Sequence, residues 1–215
     1  MKSLFNLDNP IMQFLTRVTD LIMLNALLLV CSLPIITAGA AQAAVHRVCL
    51  NMVTDTDSGI IKPFFRAFRQ NFRQATIAWL GELLVLAALV CDAMLVMAYF
   101  GGNVIMYVLL GALAVVVLGV CAYLMPLISR YNNTLRQHLT NAIALSIIKL
   151  PKTLLLVLLN LAPLLLALLN LGVFVQTLIF WVILGFAFVV YIQESLLRSV
   201  YNQLEKGTNS VTLGM

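Results

Sequence analysis

Residues 74–128 contain two long apolar stretches, QATIAWLGELLVLAALVCDAMLVMAYF (Gln74–Phe100) and VIMYVLLGALAVVVLGVCAYLMPLI (Val104–Ile128), which are separated only by Gly101-Gly102-Asn103. Each stretch exceeds the roughly 20 apolar residues that an α-helix needs to cross a bilayer. The short turn between them forces the two helices to run antiparallel. The sequence therefore predicts a transmembrane helical hairpin at the centre of the chain.

The composition of the whole chain agrees with a membrane protein. Of its 215 residues, 62% are hydrophobic and only 10% are charged. A soluble domain of this size could not bury so much apolar surface. The net charge of +5 does not indicate nucleic-acid binding, because the basic residues lie beside apolar segments, where anionic lipid headgroups supply the opposite charge. We therefore expect the lipid bilayer as a partner and no nucleic acid.

The thirteen Lys and Arg residues give the orientation. They form four clusters, at Lys2 and Arg17, within 47–73, within 130–152, and at Arg198 and Lys206. An excess of Lys and Arg marks cytoplasmic loops, and the apolar segments can be placed so that all four clusters lie on one side. The sequence therefore predicts a multi-pass protein whose amino and carboxyl termini are both cytoplasmic.

The predicted fold is all-α, a polytopic transmembrane bundle of five to six membrane segments arranged as three hairpins, with short cytoplasmic interfacial helices. A single transmembrane domain covers residues 1–197, and residues 198–215 form a polar cytoplasmic tail. The predicted membrane helices lie at about 11–33, 38–53, 75–100, 104–128, 153–171 and 175–194, and the predicted interfacial helices at about 62–73 and 135–148.

The segment 38–53 decides between five and six crossings. Pro34 ends the first helix because it cannot continue the hydrogen-bond ladder. Small residues at Gly39 and Ala43 then favour close approach of another helix, yet the segment is short and carries Arg47. Six crossings keep every cation on one side, whereas five place two of them outside. We favour six, and leave five open as the alternative.

The segment Lys62–Arg73 has the pattern of an amphipathic helix. At about 100° per residue its aromatic side chains share one arc and its cations share another. This pattern is typical of a helix lying in the membrane interface, and it also fits a docking helix for a cytoplasmic partner. The candidate interfacial or partner-docking residues, including two cations of the next loop, are Lys62, Phe64, Phe65, Arg66, Phe68, Arg69, Phe72, Arg73, Arg130 and Arg136.

Polar residues within the predicted membrane segments form a second candidate set. A charged side chain at mid-bilayer costs about 2.5–3.5 kcal/mol even on a lenient scale, so it must be protonated, paired or hydrated. Glu82 and Asp92 are about 15 Å apart along one helix, too far for a catalytic dyad. Asn160 is next to a break at Pro163, although a simple proline kink is the commoner explanation. The set comprises Asp20, Arg47, Glu82, Asp92 and Asn160.

Other polar residues are expected to have structural partners. Glu194 and Arg198 are spaced as i and i+4 and can pair where the last helix leaves the membrane. Asn25 is expected to form an interhelical hydrogen bond rather than to bind a ligand. The four cysteines and two histidines have no metal-binding spacing. No catalytic motif is present, so we expect no enzyme activity, no cofactor and no metal.

Three segments together carry a resemblance to a known family. They are SLPIITAG (Ser32–Gly39), FFRAFRQNFRQATIAWL (Phe64–Leu80) and MPLISRYNNTLRQHLTNA (Met125–Ala142). In this order and spacing the chain resembles the YesL-like family of bacterial integral membrane proteins, a domain of unknown function. The resemblance implies an all-helical protein of the bacterial cytoplasmic membrane that is linked to carbohydrate uptake. It implies no catalytic residues.

Three functions compete on this basis. The first is an accessory or regulatory membrane component of carbohydrate uptake, with ABC-type sugar importer components as partners. The second is a stand-alone small transporter or permease that uses the intramembrane acids, and a homo-oligomer would then be expected because one small bundle leaves little room for a pathway. The third is a structural or lipid-organising membrane protein. We favour the first.

Overall fold

The computed structural model describes residues 10–56, 59–101 and 103–212, with side chains described between 11 and 202 in these ranges. Lys2, Gly102 and the side chain of Lys206 lie outside them. All regular structure in the described ranges is helical, so the predicted all-α class is confirmed. The elements are α1 (Pro10–Ser32), a 3-10 turn (Ile35–Thr37), α2 (Ala38–Val53), α3 (Ile61–Tyr99), α4 (Val104–Arg130), α5 (Leu135–Ile148), α6 (Leu150–Leu169), α7 (Leu171–Phe180), a π-helical segment (Trp181–Gly185) and α8 (Phe186–Thr212).

Five helical stretches of the described chain are long and apolar enough to cross a membrane. They are Ile11–Ser32, Ile61–Tyr99, Val104–Arg130, Leu150–Leu169 and Leu171–Asn202. Their outer surfaces expose large apolar side chains along most of their length, as lipid contact requires. The chain is therefore a multi-pass integral membrane protein.

The basic segment 62–73 is not a separate interfacial helix. It forms the first turns of α3, a single helix of 39 residues that is about 58 Å long. Pro63 lies in the first turn, where its missing N–H is not needed, and no later residue of α3 interrupts the hydrogen bonds. The prediction of an interfacial helix at 62–73 separate from a membrane helix at 75–100 was therefore wrong. The basic segment is instead a rigid continuation of a long apolar helix.

The short helix α2 is the most buried element of the described chain, with twelve buried residues. It packs against α3 at very close range. A Cβ atom added to Gly39 would lie only 2.4 Å from Trp79 Cβ and 2.5 Å from the carbonyl oxygen of Ala75. Glycine is therefore required at this crossing, as the small-residue pattern predicted.

The turn between α1 and α2 lies about midway along the molecule. The Trp79 indole N–H donates to the Ile35 carbonyl over 3.0 Å, and Trp79 is about 30 Å along α3 from the end of that helix at Tyr99. Leu33 and Ile35 are nonetheless 80% and 67% exposed, which fits contact with hydrocarbon rather than water. The helices α1 and α2 therefore end at the level of Trp79, and α2 lies beside the part of α3 that precedes this residue.

The last helix differs from its predicted bounds of 175–194. Helical structure begins at Leu171, passes through the π-helical segment and continues in α8 to Thr212. Leu197, Val200 and Tyr201 are buried against the core, and this apolar face stabilises the helix beyond Glu194. The residues from 198 to 212 are therefore helical, whereas a polar tail was expected there.

Replacing Gly39 by Ala should lower the free energy of unfolding by about 1–3 kcal/mol, because the new methyl group overlaps the α3 backbone. Gly81→Ala, in the same helix pair, is the matched control, since a Cβ there meets nothing within 4 Å. Thermal unfolding of both variants in detergent measures the difference. Equal unfolding temperatures for the two variants would contradict the close α2–α3 contact.

Candidate functional site

A buried polar contact joins α2 to α8. His46 Nδ1 lies 2.7 Å from Glu194 Oε1, and the two side chains are 8% and 0% exposed. The predicted pairing of Glu194 with Arg198 is wrong. Glu194 shares the inward face of α8 with Leu197 and Tyr201, whereas Arg198 points outward and donates to the Val53 carbonyl over 3.2 Å.

A cavity of about 300 Å³ adjoins this pair. It lies between α1, α2, α6, the π-helical segment and α8, and its wall is apolar except for a few polar groups. The polar residues that line it are Ser32, Gln42, His46, Asn160 and Trp181. The mixture of an apolar wall and a few convergent polar groups is typical of small-molecule sites.

Trp181 forms part of this wall. It is only 9% exposed, and its N–H has no hydrogen-bond partner among the described residues. Because the indole nitrogen itself is buried, its N–H does not face the open space of the cavity. The amides of Gln42 and Asn160 also line the cavity, and amides can bind hydroxyl or carbonyl oxygens of a small molecule.

Asn25 holds the backbone of this cavity wall in place through hydrogen bonds. Its side-chain N–H groups donate to the carbonyls of Val182 (2.6 Å) and Trp181 (3.2 Å). The backbone N–H of Ala187 in turn donates to Asn25 Oδ1 over 2.9 Å. A π-helical turn displaces backbone groups from their usual partners, and Asn25 hydrogen-bonds those displaced groups. The expected interhelical role of Asn25 is confirmed.

The five predicted intramembrane polar residues do not form one cluster. Asn160 lines the cavity. Glu82 is buried elsewhere on α3 and Asp92 is exposed on the same helix. Asp20 is half-buried on α1, and half-buried Arg47 donates to the Ser129 carbonyl over 3.3 Å. These positions do not bring the acids together.

In the predicted docking segment the four cations are exposed, whereas some of the aromatic side chains are buried. Lys62, Arg66, Arg69 and Arg73 are all exposed. Phe64, in contrast, is 0% exposed and belongs to the core that α1 and α2 form with α3.

The remaining aromatic side chains of this segment lie progressively further out. Phe68 is half-buried and its ring lies 6.2 Å from that of Phe64 and 5.6 Å from that of Phe72. Phe65 and Phe72 are exposed. The four cations therefore lie on the outer surface of α3, whereas the aromatic arc packs partly on protein because α2 flanks α3 there.

The second basic loop also contributes outward-facing groups. Arg136 is exposed on α5, and Arg130 ends α4 with its guanidinium 4.3 Å from the centre of the Tyr201 ring. Thr134 and Gln137 form a capping box that starts α5, which fixes this loop relative to the helix.

The two histidines have different surroundings. His138 on α5 is fully buried. Burial lowers the pKa of its imidazole, although nearby backbone groups of Asn133 and Tyr131 oppose the shift. It is therefore neutral at pH 7 and stays a core residue. In the part of the chain that the structure describes, no three His, Cys, Asp or Glu side chains meet in a metal-binding group.

Comparison with known proteins gives a family of unknown function. Residues 21–93, about a third of the chain, match a family described as "Protein of unknown function, DUF624". No curated protein and no solved structure matches the chain. The match supports the predicted placement in a domain-of-unknown-function family, while the narrower YesL-like resemblance stays a prediction.

Sequence reasoning missed His46, Glu194, Gln42 and Trp181 as parts of one site. The sequence shows no acidic partner for His46 one helical turn away. Its partner is 148 residues further along the chain, so local spacing could not reveal it. The only sequence signal was the presence of His46 and Glu194 within apolar surroundings, where a polar side chain requires a partner.

Glu194→Ala should destabilise the protein by about 3 kcal/mol, because it leaves His46 buried without its partner. Ser195→Ala, at the adjacent residue of α8, is the control, since Ser195 is exposed and its loss should change stability by less than about 0.5 kcal/mol. Unfolding in detergent at neutral pH checks both variants. A Glu194→Ala variant as stable as Ser195→Ala would show that the pair does not stabilise the core.

Proposed function

We propose that this integral membrane protein is an accessory or regulatory component of carbohydrate uptake in the bacterial cytoplasmic membrane. It docks a cytoplasmic part of its partner through the basic end of α3. The proposal rests on one observation. The helix α3 is uninterrupted from Ile61 to Tyr99, so its four exposed cations belong to a rigid extension of a membrane helix. The carbohydrate link itself comes from the YesL-like resemblance.

The docking surface is a basic ridge, which we define as Lys62, Arg66, Arg69 and Arg73. These four side chains follow one face of α3 over about 17 Å. Behind them Phe64 and Ala67 are buried, which holds the ridge in one orientation. An ordered row of cations fits an acidic surface on a partner and accelerates association by long-range attraction.

Other basic residues at the same end of the bundle support a cytoplasmic position for the ridge. Arg17 binds Asp55 over 2.8 Å just after the end of α2, and Arg198 contacts the Val53 carbonyl. Concentration of cations at one end of the bundle follows the positive-inside rule. The proposed partners are components of an ABC-type sugar importer.

Arg69→Glu combined with Arg73→Glu should abolish co-purification with importer components from native membranes, because reversed charges repel an acidic partner. The matched control is Arg69→Lys with Arg73→Lys, which retains the charge and should retain the partner. Both variants should fold, since the side chains are exposed. Equal recovery of importer components with the Glu and Lys variants would count decisively against docking through the ridge.

The cavity beside His46 favours a second candidate, a small permease that binds a polar solute within the membrane. The buried His46–Glu194 pair places polar groups beside this cavity, within otherwise apolar surroundings. The volume of about 300 Å³ suits a small solute, and a homodimer would provide the additional walls that a pathway needs.

If the protein is a permease, liposomes that contain it should take up a sugar or other small polyol. Asn160→Leu should then reduce the initial rate of uptake by about tenfold or more, because it removes a polar contact in the cavity. Gln176→Leu is the matched control, because it removes an exposed amide of α7 that does not line the cavity, and it should transport normally. Absence of flux by the unmodified protein across a broad panel of sugars would eliminate this candidate.

A further inference from the structure

An acidic side chain faces outward from the membrane region of α3. Asp92 is exposed, and it forms no hydrogen bond or ion pair with another residue that the structure describes. Large apolar side chains lie next to it on the helix surface, since Val90, Met94 and Leu95 are 53%, 64% and 52% exposed. The nearest cation along α3 is Arg73, about 28 Å away.

Asp92 lies within the membrane rather than at its surface. It is about 10 Å along α3 from Tyr99, the last residue of the helix. Tyr99 and Tyr107, on either side of the connecting turn, are both exposed, and such tyrosines are typical of the boundary between lipid and water. The side chain of Asp92 is too short to reach water over this distance, unlike that of a lysine or arginine. A carboxyl group surrounded by hydrocarbon is unfavourable unless another polar group binds it.

Asp92 belongs to a row of exposed residues with heptad spacing. The row, which we call the outer seam, comprises Val85, Ala88, Asp92, Leu95 and Tyr99. The separations alternate between three and four residues, as they do along the contact seam of a left-handed coiled coil. At about 100° per residue, the five side chains occupy an arc of roughly 80°. The outer seam therefore has the pattern of a face that contacts another helix.

The rest of the protein covers a different face of this helix. The half-buried residues of the same turns are Leu86, Leu89, Ala93 and Val96. Their arc is centred about 100° away from that of the outer seam. Within the outer seam, Ala88 precedes the acid by one helical turn, and small residues allow two membrane helices to approach closely. The outer seam is thus uncovered within one chain and carries a small residue beside its polar one.

We propose that the outer seam binds the outer seam of a second copy of this chain, in a parallel dimer in which Asp92 faces Asp92. Both copies have their basic end on the same side of the membrane, so the two α3 helices run in the same direction. A two-fold contact between such helices places each residue near the axis opposite the same residue of the other copy. The two acids are therefore at the same depth.

Two carboxyl groups at one depth satisfy each other without a cation. A carboxylic acid has one O–H donor and further acceptor capacity, so the pair forms hydrogen bonds across the axis. A single polar residue in an apolar seam also fixes the register of two helices, because a shift would leave it opposite an apolar side chain. The observations favour a second copy because it supplies the group that Asp92 needs at the depth where Asp92 needs it.

The dimer contact does not depend on the proposed docking function. The outer seam begins at Val85, about 18 Å along α3 from Arg73 at the end of the basic ridge. The ridge therefore stays accessible to a cytoplasmic partner when the two outer seams are in contact.

The test measures dimerisation of the full chain in phosphatidylcholine vesicles. Copies labelled at the amino terminus with donor or acceptor fluorophores are reconstituted at several protein-to-lipid ratios, and energy transfer gives the dimer dissociation constant. Asp92→Leu should raise this constant by about tenfold, because each copy loses a hydrogen-bond partner within lipid. Asp92→Asn retains a donor and an acceptor and should stay within about threefold of the unmodified chain.

Ala88→Leu tests the close approach of the two helices. The larger side chain holds the helices apart and should raise the dissociation constant by about tenfold or more. Ala87→Leu is the matched control, because Ala87 is the adjacent residue and is exposed outside the outer seam. It should change the constant by less than about twofold. Both variants should fold, since neither side chain is buried.

Disulfide cross-linking identifies the face that forms the contact. Both cross-linking variants carry Cys91→Ser, because the native Cys91 is exposed. Leu95→Cys, in the outer seam, should form a covalent dimer on oxidation in vesicles, since the two sulfur atoms must come within bonding distance. Met94→Cys, at the adjacent exposed position outside the outer seam, should not.

Three results would overturn the proposal. They are absence of energy transfer by the unmodified chain at every ratio, equal weakening by Ala88→Leu and Ala87→Leu, and equal cross-linking by Leu95→Cys and Met94→Cys. A monomeric chain that instead binds another membrane protein through Asp92 would also overturn it, and would assign the outer seam to a partner with a cation. Unchanged energy transfer in the Arg69→Glu, Arg73→Glu variant would separate dimerisation from docking.

Discussion

The close contact between α2 and α3 at Gly39 is the constraint on which the rest of the structure depends. It allows α2 to lie within the bundle and sets the level at which the turn from α1 meets Trp79. It also positions the side chains of α2. His46 and Arg47 are consecutive residues of this helix, yet His46 lines the cavity near the π-helical segment, whereas Arg47 donates to the Ser129 carbonyl of α4. A shift of α2 along α3 would alter both.

Polar contacts give the bundle its specificity. Inside a membrane, lipid is as apolar as the helix surfaces, so apolar contacts alone select poorly among helix arrangements. The Asn25 bonds to the π-helical segment and the contact of His46 with Glu194 join helices that are distant in sequence. Each has one geometry that satisfies its donors and acceptors. These contacts therefore explain why α8 passes α1 and α2 at one particular register.

Local pattern was enough to predict most helical segments, but neither the continuity of α3 nor the contacts between helices. The predicted helix 135–148 and the observed α5 have the same bounds, and the predicted hairpin of 75–128 lies within α3 and α4. These features follow from apolar length, turns and caps. The pairing of His46 with Glu194, the burial of Phe64 and the depth of the α1–α2 turn depend on long-range packing. A single sequence carries no local signal for such contacts.

The position of the α1–α2 turn also determines the outline of the protein. Both helices stop near Trp79, and beyond that level the bundle continues with α3, α4, α6 and α7. The cross-section is thus larger toward the basic end than toward the Gly101 turn.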